Sequence, residues 1–277
     1  MIPYDFEYFR PDTVKEAVDI YHELDKVGKT PMIYGGGTEL ISMARVGNIF
    51  FGAAVDIKNI PECKAMGFDN NNLYLGSALT LSDITEANYF PLLSKTMGRI
   101  ADHTMQCKIT FGGNLASTII YRETVLPLLL TDATLTIAGQ SGLHEFKIDQ
   151  IFNERIILNK GDLIVKITID KKFLNAPYFH IKKTKNEKID YPLITTEGLK
   201  INGHLRIAFS GLAAFPFRDV EAENILNDSN LDFYQRADKI VQILSRIILN
   251  DVSGSAEYRK FVLKNTIINV LETMRNK

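Results

Sequence analysis

Two short runs of glycine are the residues whose type and spacing point to chemistry. The first is Gly35-Gly36-Gly37-Thr38 and the second is Gly112-Gly113-Asn114, each flanked by apolar residues. Consecutive glycines let a backbone take positive φ and approach a ligand closely, and successive N–H groups in such turns form a concavity for an anion. Two runs, with Thr38 and Asn114 placed to add side-chain hydrogen bonds, favour a ligand held from two sides, such as the pyrophosphate of a dinucleotide. Two ordinary turns between strands are the alternative.

The sequence lacks several other chemical motifs. Neither run reads G-x-G-x-x-G and neither is followed by Gly-Lys-Ser/Thr, so a Rossmann fingerprint and a P-loop are excluded. The two cysteines, Cys63 and Cys107, are too few for a disulfide framework or an iron–sulfur cluster, and we expect both in or just below the core. The five histidines have no H-x-x-H spacing, so we expect no metal site.

The composition is that of an ordinary globular protein. Of the 277 residues, 45% are hydrophobic and 23% are charged, and the formal net charge is −1. This balance argues against a nucleic-acid partner, because a phosphate backbone requires a basic surface. The densest basic run, Lys182-Lys183-Thr184-Lys185 with Lys188, is typical of a solvated face. Without a signal-peptide pattern or an apolar run of membrane-spanning length, we expect a cytoplasmic protein that has no membrane segment.

Hydrophobic periodicity predicts helices and strands along the whole chain. A first helix is expected after Pro11, with Asp12 or Thr13 as N-cap and with Glu16, three residues after Thr13, in a capping box. The main predicted strands are at residues 30–34, 53–57, 73–78, 134–138, 163–169, 178–181, 193–200 and 205–212. The main predicted helices are at residues 39–46, 80–84, 91–100, 126–133, 233–249 and 256–274.

The pattern of elements changes near residue 175. Beyond it we predict an antiparallel sheet with turns at Gly198 and Gly203, followed by two helices whose core-facing stripes include Phe261. The expected fold class is therefore α+β, with a mixed α/β region over residues 1–174 and an α+β region over residues 175–277.

The glycine runs and several further segments resemble one known family. Gly35 to Leu40 resembles the family loop A-G-G-T-D/E-L, and Thr110 to Ala116 resembles the loop T-I/L-G-G-N-L/I-A. Tyr4-Asp5-Phe6, Asp190-Tyr191-Pro192-Leu193 and Gly254 to Arg259 are similar to further family patterns, so the likeness spans nearly the whole chain. The family is that of the FAD-binding medium subunits of molybdenum-containing hydroxylases, such as bacterial xanthine dehydrogenase.

The resemblance implies a fold and a set of FAD-binding residues. It implies an FAD-binding domain of the vanillyl-alcohol-oxidase (PCMH) type over 1–174, with parts at about 1–57 and 58–174, and a C-terminal domain over 175–277 with a three-stranded antiparallel sheet. The glycine runs would hold the pyrophosphate, Ser117 and Glu123 would lie near the ribityl or adenosine portion, and Lys182 would lie near the isoalloxazine ring. The implied cofactor-binding residues, with no catalytic residue or metal ligand among them, are Ile33, Tyr34, Gly35, Gly36, Gly37, Thr38, Glu39, Leu40, Thr110, Phe111, Gly112, Gly113, Asn114, Ser117, Glu123, Ile164, Val165 and Lys182.

The resemblance also implies partner chains and an electron path. A large subunit would carry the molybdenum cofactor and a small subunit the two-iron two-sulfur clusters, and electrons would pass from the clusters through FAD to NAD or another acceptor. One alternative is a self-sufficient FAD-dependent oxidoreductase of the same superfamily, in which His or Cys often binds FAD covalently; no histidine lies in either glycine run. The other alternative is a ligand-binding module that has lost FAD.

Overall fold

The structure, a computed structural model, describes residues 2–185 and 189–275. The strands are β1 (Glu7–Phe9), β2 (Pro31–Tyr34), β3 (Ala53–Asp56), β4 (Met66–Asp69), β5 (Asn72–Gly76), β6 (Thr134–Gly139), β7 (Gly142–Lys147), β8 (Phe152–Asn153), β9 (Arg155–Ile156), β10 (Leu163–Asp170), β11 (Tyr178–Thr184), β12 (Pro192–Ile201), β13 (His204–Ser210) and β14 (Phe217–Arg218). The helices are α1 (Val14–Lys26), α2 (Thr38–Arg45), α3 (Pro61–Lys64), α4 (Leu81–Ala87), α5 (Pro91–Met97), α6 (His103–Gln106), α7 (Phe111–Ala116), α8 (Val125–Leu130), α9 (Ile148–Ile151), α10 (Val220–Leu226), α11 (Phe233–Leu244) and α12 (Ala256–Met274).

The chain forms two compact units, and chain segments alternate between them. Unit 1 comprises residues 2–89, Asp102–Ser117 and Asp132–Lys171. Unit 2 comprises Phe90–Ala101, Thr118–Thr131 and residues 172–275. The sequence placed Phe90–Ala101 and Thr118–Thr131 inside the region 58–174, whereas the structure groups both with the C-terminal residues. The division into domains at 174/175 stays a prediction, and the α+β class is confirmed.

A three-stranded parallel sheet opens unit 1, in the order β1-β3-β2. Helix α1 connects β1 with β2, as parallel pairing requires. Of the two candidate N-caps, Thr13 caps the helix, because its hydroxyl accepts the Glu16 N–H at 3.1 Å. The predicted capping box is wrong in its second half, because the Glu16 carboxylate accepts the N–H of Asp12 instead of the N–H of Thr13. Ala17, Val18 and Tyr21 are buried on the inner face of α1 and belong to one hydrophobic cluster with residues of β3 and β10.

The second sheet of unit 1 is antiparallel, in the order β4-β5-β10-β6-β7. Its central strand β10 is long and apolar, as the sequence predicts, and a bulge interrupts its pairing with β6 between Ile164 and Lys166. The edge strand β7 was not predicted, because all six of its residues are exposed and it has no apolar alternation.

Unit 2 contains a four-stranded antiparallel sheet, in the order β11-β12-β13-β14. The three predicted strands are confirmed, and the two-residue strand β14 adds a fourth. Asn202 and Gly203 form the β12–β13 turn with positive φ at both residues, as a tight hairpin requires. The predicted turn at Gly198 is wrong: Gly198 lies inside β12, where a Cβ would overlap the Arg206 carbonyl oxygen and the Phe179 ring.

Helices α10, α11 and α12 share one hydrophobic core with this sheet. Helix α12 has the predicted bounds, whereas α11 ends at Leu244 instead of residue 249. Phe261 is 64% exposed, which corrects its assignment to the core stripe. The buried face of α12 instead carries Leu263, Ile267 and Val270, so Phe261 projects from another side of the helix.

Arg259, on α12, ties the chain of unit 2 together. Its side chain is fully buried, and its guanidinium donates to four backbone carbonyl oxygens, those of Leu193, Gly211, Leu249 and Gly254. The same guanidinium contacts both carboxylate oxygens of Asp251, at 3.1 and 3.2 Å. One cation thus satisfies acceptors from a strand, two loops and the start of its own helix, and a planar guanidinium is suited to this.

We expect Arg259→Met to lower the free energy of unfolding by about 3 kcal/mol or more, because four buried carbonyls and a carboxylate lose their donor. Urea unfolding followed by circular dichroism measures this change. Lys260→Met is the matched control on the same helix. Lys260 pairs only with the exposed Glu257, so its loss should cost under about 1 kcal/mol. Equal stability of the two variants would contradict the role assigned to Arg259.

Candidate functional site

The first glycine run connects β2 with α2 in unit 1. Gly35 and Gly36 follow the last strand residue, Tyr34, and Gly37 is the N-cap of α2 with a φ of 69°. Because Gly37 has no side chain, no side-chain cap bonds to the first N–H groups of this eight-residue helix. Those N–H groups carry the positive end of the helix dipole, so the position favours an anion.

The second glycine run is helical, which corrects the expected loop. Thr110 is the N-cap of α7, and Gly112 and Gly113 lie within the helix. Of the glycines in the two runs, only Gly37 has positive φ. The N–H of Gly112 donates to the carbonyl oxygen of Ser77 at 2.8 Å, so a protein acceptor already uses this donor.

The two runs contact each other, as the hypothesis of one shared site requires. The Thr110 hydroxyl oxygen accepts the N–H of Gly36 at 3.4 Å and the N–H of Gly113 at 3.3 Å. A Cβ on Gly36 would overlap the Lys108 carbonyl oxygen, and one on Gly35 would lie 2.6 Å from the Thr110 hydroxyl oxygen. The glycines are therefore needed for the approach of one chain segment to another.

Lys58 is a cation at this site that the sequence analysis missed. Its Nζ lies 2.9 Å from the Gly35 carbonyl oxygen, 2.7 Å from Asp56 Oδ2 and 4.4 Å from the centre of the Tyr34 ring. Tyr8 also donates to Asp56, and chiefly this hydrogen bond raises the pKa of Tyr8 to about 12. Lys58 follows β3 by two residues, so the rule that ligands bind at the carboxyl ends of parallel strands could have identified it.

The other predicted residues of unit 1 have defined places around these contacts. Ile33 packs against the α1 cluster, to which the buried Val165 belongs. Val165 lies at the β10 bulge, and its carbonyl oxygen accepts the Ser77 N–H at 2.9 Å. The N–H of Asn114 donates to the Thr110 carbonyl oxygen. Thr38, Glu39 and Leu40 form the first turn of α2, Phe111 and Ile164 are buried, and Ser117 is the C-cap of α7.

The last two predicted residues, Glu123 and Lys182, form an ion pair in unit 2. Lys182 Nζ lies 2.7 Å from Glu123 Oε2 and 2.8 Å from the Arg99 carbonyl oxygen, and the Thr195 hydroxyl donates to Glu123 Oε1 at 2.6 Å. The Lys182 side chain is 1% exposed, which corrects the solvated face expected of the basic run at this position. Lys183 and Lys185 of that run are exposed as expected, and Lys188 lies outside the described residues. Burial raises the pKa of Glu123, against the opposing effect of Lys182.

The structure corrects the expectation for one of the two cysteines. Cys63 is buried as expected, but Cys107 is exposed.

Across residues 2–185 and 189–275, no helix is both long enough and apolar enough to cross a membrane. In the same residues, no three His, Cys, Asp or Glu side chains are grouped as metal ligands would be.

Comparisons with known proteins agree with this chemistry. A family model described as the FAD binding domain in molybdopterin dehydrogenase matches residues 4–171, and one described as the CO dehydrogenase flavoprotein C-terminal domain matches residues 193–274. The putative xanthine dehydrogenase FAD-binding subunit of Escherichia coli K12 is 23% identical in an alignment of 291 positions. The alignment covers 99% of this chain and 95% of the relative.

Solved structures share the fold. A chain of Cu,Mo-CO dehydrogenase in its cyanide-inactivated form superposes with a TM-score of 0.86 at 22% identity, over 98% of each chain. A chain of quinoline 2-oxidoreductase from Pseudomonas putida 86 gives 0.85 at 19% identity, over 99% of this chain and 97% of that one. The first family match covers more than half of the described chain. The protein therefore belongs to the family of FAD-binding subunits of molybdopterin dehydrogenases, and its cofactor is FAD.

Proposed function

We propose that this chain is the electron-transfer subunit of a xanthine dehydrogenase-like molybdenum hydroxylase. Electrons from iron–sulfur clusters on a partner chain enter FAD here and leave to NAD⁺ or another acceptor. The observation that carries the proposal is the meeting of the two glycine runs at Thr110. The start of α2, which has no side-chain cap, and Lys58, which contacts Gly35, support an anion site beside the first run. A pyrophosphate has the size and charge for that position.

The residues present fit FAD. Backbone N–H groups at the start of α2 and the Lys58 ammonium would bind the two phosphates, while Thr110 fixes the separation of the two runs. Lys182, held by Glu123, would supply positive charge for the reduced isoalloxazine. Bound FAD itself supplies the electron and hydride chemistry, and the protein binds and orients it.

The remaining redox centres belong to partner chains in this proposal. An iron–sulfur cluster takes four protein ligands, usually cysteines, and this chain has two cysteines in all. A small subunit would carry the two-iron two-sulfur clusters, and a large subunit would carry the molybdenum cofactor and select the substrate. The xanthine dehydrogenase name of the E. coli relative favours a purine substrate. We further propose that the complex is cytoplasmic.

The proposal is tested by the visible absorbance spectrum of the purified chain, with and without added FAD, after gel filtration. We expect flavin bands that remain with the protein and are released by acid, and no turnover of a purine by this chain alone. Turnover by the isolated chain, or flavin retained in the acid pellet, would favour a self-sufficient flavoenzyme. No flavin bands at any FAD concentration would favour a module that has lost the cofactor.

We expect Gly36→Ala to weaken FAD binding at least about hundredfold, because the new methyl group overlaps the Lys108 carbonyl oxygen and separates the two runs. Isothermal titration with FAD gives the dissociation constant. Gly47→Ala is the control: Gly47 has a φ of 76° and open space around it, so the variant carries backbone strain without an overlap. The Gly47 variant should bind FAD within threefold of wild type. Wild-type affinity of the Gly36 variant would contradict the proposed site.

We expect Lys58→Gln to weaken FAD binding by about tenfold to hundredfold, because a charge-assisted contact to phosphate is worth about 1.5–3 kcal/mol. The dependence of FAD affinity on salt should also be smaller in this variant than in wild type. Lys29→Gln, which removes an exposed lysine paired with Glu7 in the same unit, is the control and should leave both quantities unchanged. Identical salt dependence of FAD affinity in all three proteins would contradict a contact between Lys58 and the FAD phosphates.

A further inference from the structure

One face of the unit 2 sheet carries four polar side chains on its first two strands. The register pairs Lys182 with Thr195 and His180 with Glu197, and strand alternation directs all four to the same face. Glu197 is fully buried, and the His180 side chain is 2% exposed. Buried ionisable groups of this kind are costly to the fold and concentrate at functional sites.

The two pairs differ in how well their hydrogen-bonding groups are satisfied. Lys182 and Glu123 satisfy each other, with Thr195 as a further donor. Glu197 Oε1 lies 2.8 Å from the Thr96 hydroxyl, but that hydroxyl has a single proton and is also 2.9 Å from the Leu92 carbonyl oxygen. Among the described residues, no group hydrogen-bonds to Glu197 Oε2.

A neutral carboxylic acid at Glu197 relieves the shortage at Oε1 and removes the uncompensated charge, although Oε2 still has no donor among the described residues. The acid donates its own proton to the Thr96 hydroxyl oxygen, and the Thr96 proton then bonds to the Leu92 carbonyl oxygen. Burial raises the pKa of Glu197 well above its ordinary value; Glu123 raises it further, while Thr96 and Lys182 oppose the shift. Geometry and pKa direction therefore agree on a bound proton.

The charged and titratable groups around Glu197 come from several elements. Lys95 lies on α5 and Arg99 follows it, Glu123 precedes α8, and Arg206 lies on β13 two residues from the position that pairs with Glu197. Adjacent on β11 are the two residues already described, His180 and Lys182. Burial lowers the pKa of His180 to about 4, and the positive charges of Arg99, Lys182 and Lys95 lower it further, so His180 is neutral at neutral pH.

One residue, His180, belongs both to the surroundings of this buried acid and to the lining of a cavity. The cavity has a volume of about 570 Å³ within unit 2, and Lys95 and Asn269 are also among its lining residues. His180 Nε2 lies 3.5 Å from Glu197 Oε1. An imidazole in this place is a candidate to pass a proton to the carboxyl group.

We propose that Glu197 carries a proton in this cluster and that its protonation is linked to reduction of FAD. The proposal rests on the proposed function, in which Lys182 lies beside the isoalloxazine ring. Reduction adds negative charge near Lys182 and therefore favours a proton on the neighbouring acid. Ionised Glu197 would instead compete with Glu123 for Lys182 and cancel its positive charge. Glu197 is accordingly a positioning residue that acts through Lys182.

The linked step balances with one proton. Two electrons enter FAD from the iron–sulfur clusters of the proposed partner, and the flavin takes up its own proton as usual. A further proton from solvent passes through His180 and forms an O–H bond on the Glu197 carboxylate. The linkage operates over the pH range in which the oxidised protein has lost this proton and the reduced protein still binds it.

The test is the midpoint potential of bound FAD as a function of pH, from neutral to alkaline, measured by spectroelectrochemistry on the FAD-loaded chain. We expect wild type to take up one more proton per two electrons than Glu197→Gln over part of the alkaline range. Glu221→Gln, which removes an exposed acid of α10, is the matched control and should follow wild type. Equal proton uptake by all three proteins would overturn the proposal.

A second readout separates this proposal from the proposed function. At neutral pH the infrared spectrum of wild type should contain the C=O band of a protonated carboxylic acid that Glu197→Gln lacks, whether FAD is bound or not. Absence of that band would overturn the proposal even if the chain binds FAD. A wild-type chain that binds no FAD would contradict the proposed function instead. Failure of the Gln variant to fold at neutral pH would also count against a neutral Glu197, because Gln has the same shape and charge.

The same bound proton predicts a pH dependence of stability. A carboxyl group with a raised pKa in the folded state stabilises it fully below the unfolded value near 4.5, and this contribution is lost as pH rises. The unfolding free energy of wild type should therefore fall relative to that of Glu197→Gln as pH rises from about 4.5, in urea titrations at several pH values. The lowered pKa of His180 has the opposite effect: the folded state loses stability as pH falls below the ordinary pKa of histidine. His180 is present in both proteins, so its contribution cancels in the comparison. A difference that grows in the other direction would show Glu197 to be ionised.

Discussion

The proposed cofactor site of unit 1 depends on one backbone contact, the approach of Gly36 to the chain at Lys108 and Thr110. No side chain larger than hydrogen fits there, because a Cβ would occupy the position of a carbonyl oxygen. The Thr110 hydroxyl then joins the two segments by accepting an N–H from each. Everything else that makes the position attractive to an anion, including the uncapped start of α2 and the Lys58 ammonium, is arranged around this contact.

Unit 2 buries several charged side chains. Arg259 is fully hydrogen-bonded, since four carbonyl oxygens and a carboxylate accept its N–H groups. The pair of Lys182 and Glu123 is nearly as well satisfied. Glu197 is less well satisfied, because no group among the described residues hydrogen-bonds to its Oε2. An incompletely satisfied acid in a buried network is where a change of protonation costs least.

Much of this architecture follows from the sequence, because apolar periodicity and turn residues determine the long elements. Helix α12 has its predicted bounds, and the Thr13 cap is as expected. Elements without such a signal were missed: β7 is exposed on every residue, so nothing in its pattern marks a strand. Gly198 was misjudged because a glycine that admits a neighbouring aromatic ring looks the same in sequence as one that forms a turn.

At the site, the sequence identified which segments meet but not why. Local motifs predict the glycines and the capping Thr110. Lys58 contacts Gly35 because β2 and β3 pair in parallel, and no local motif predicts that pairing. The burial of Lys182 was hidden for the same reason, since its partner Glu123 lies far away in the sequence. Contacts between residues that are far apart in the sequence are therefore the part of the site that sequence motifs do not predict.

The close approach at Gly36 also bears on how such a protein evolves. Since the glycine is required by a neighbouring stretch of its own backbone, selection for folding alone preserves it, with or without a cofactor. Lys58 is constrained as well, because its ammonium is the cation beside the buried Asp56 carboxylate and also donates to the Gly35 carbonyl oxygen. In a lineage that abandoned flavin chemistry, both the glycines and this lysine would persist for folding alone, so their presence in a sequence does not by itself signal a bound flavin.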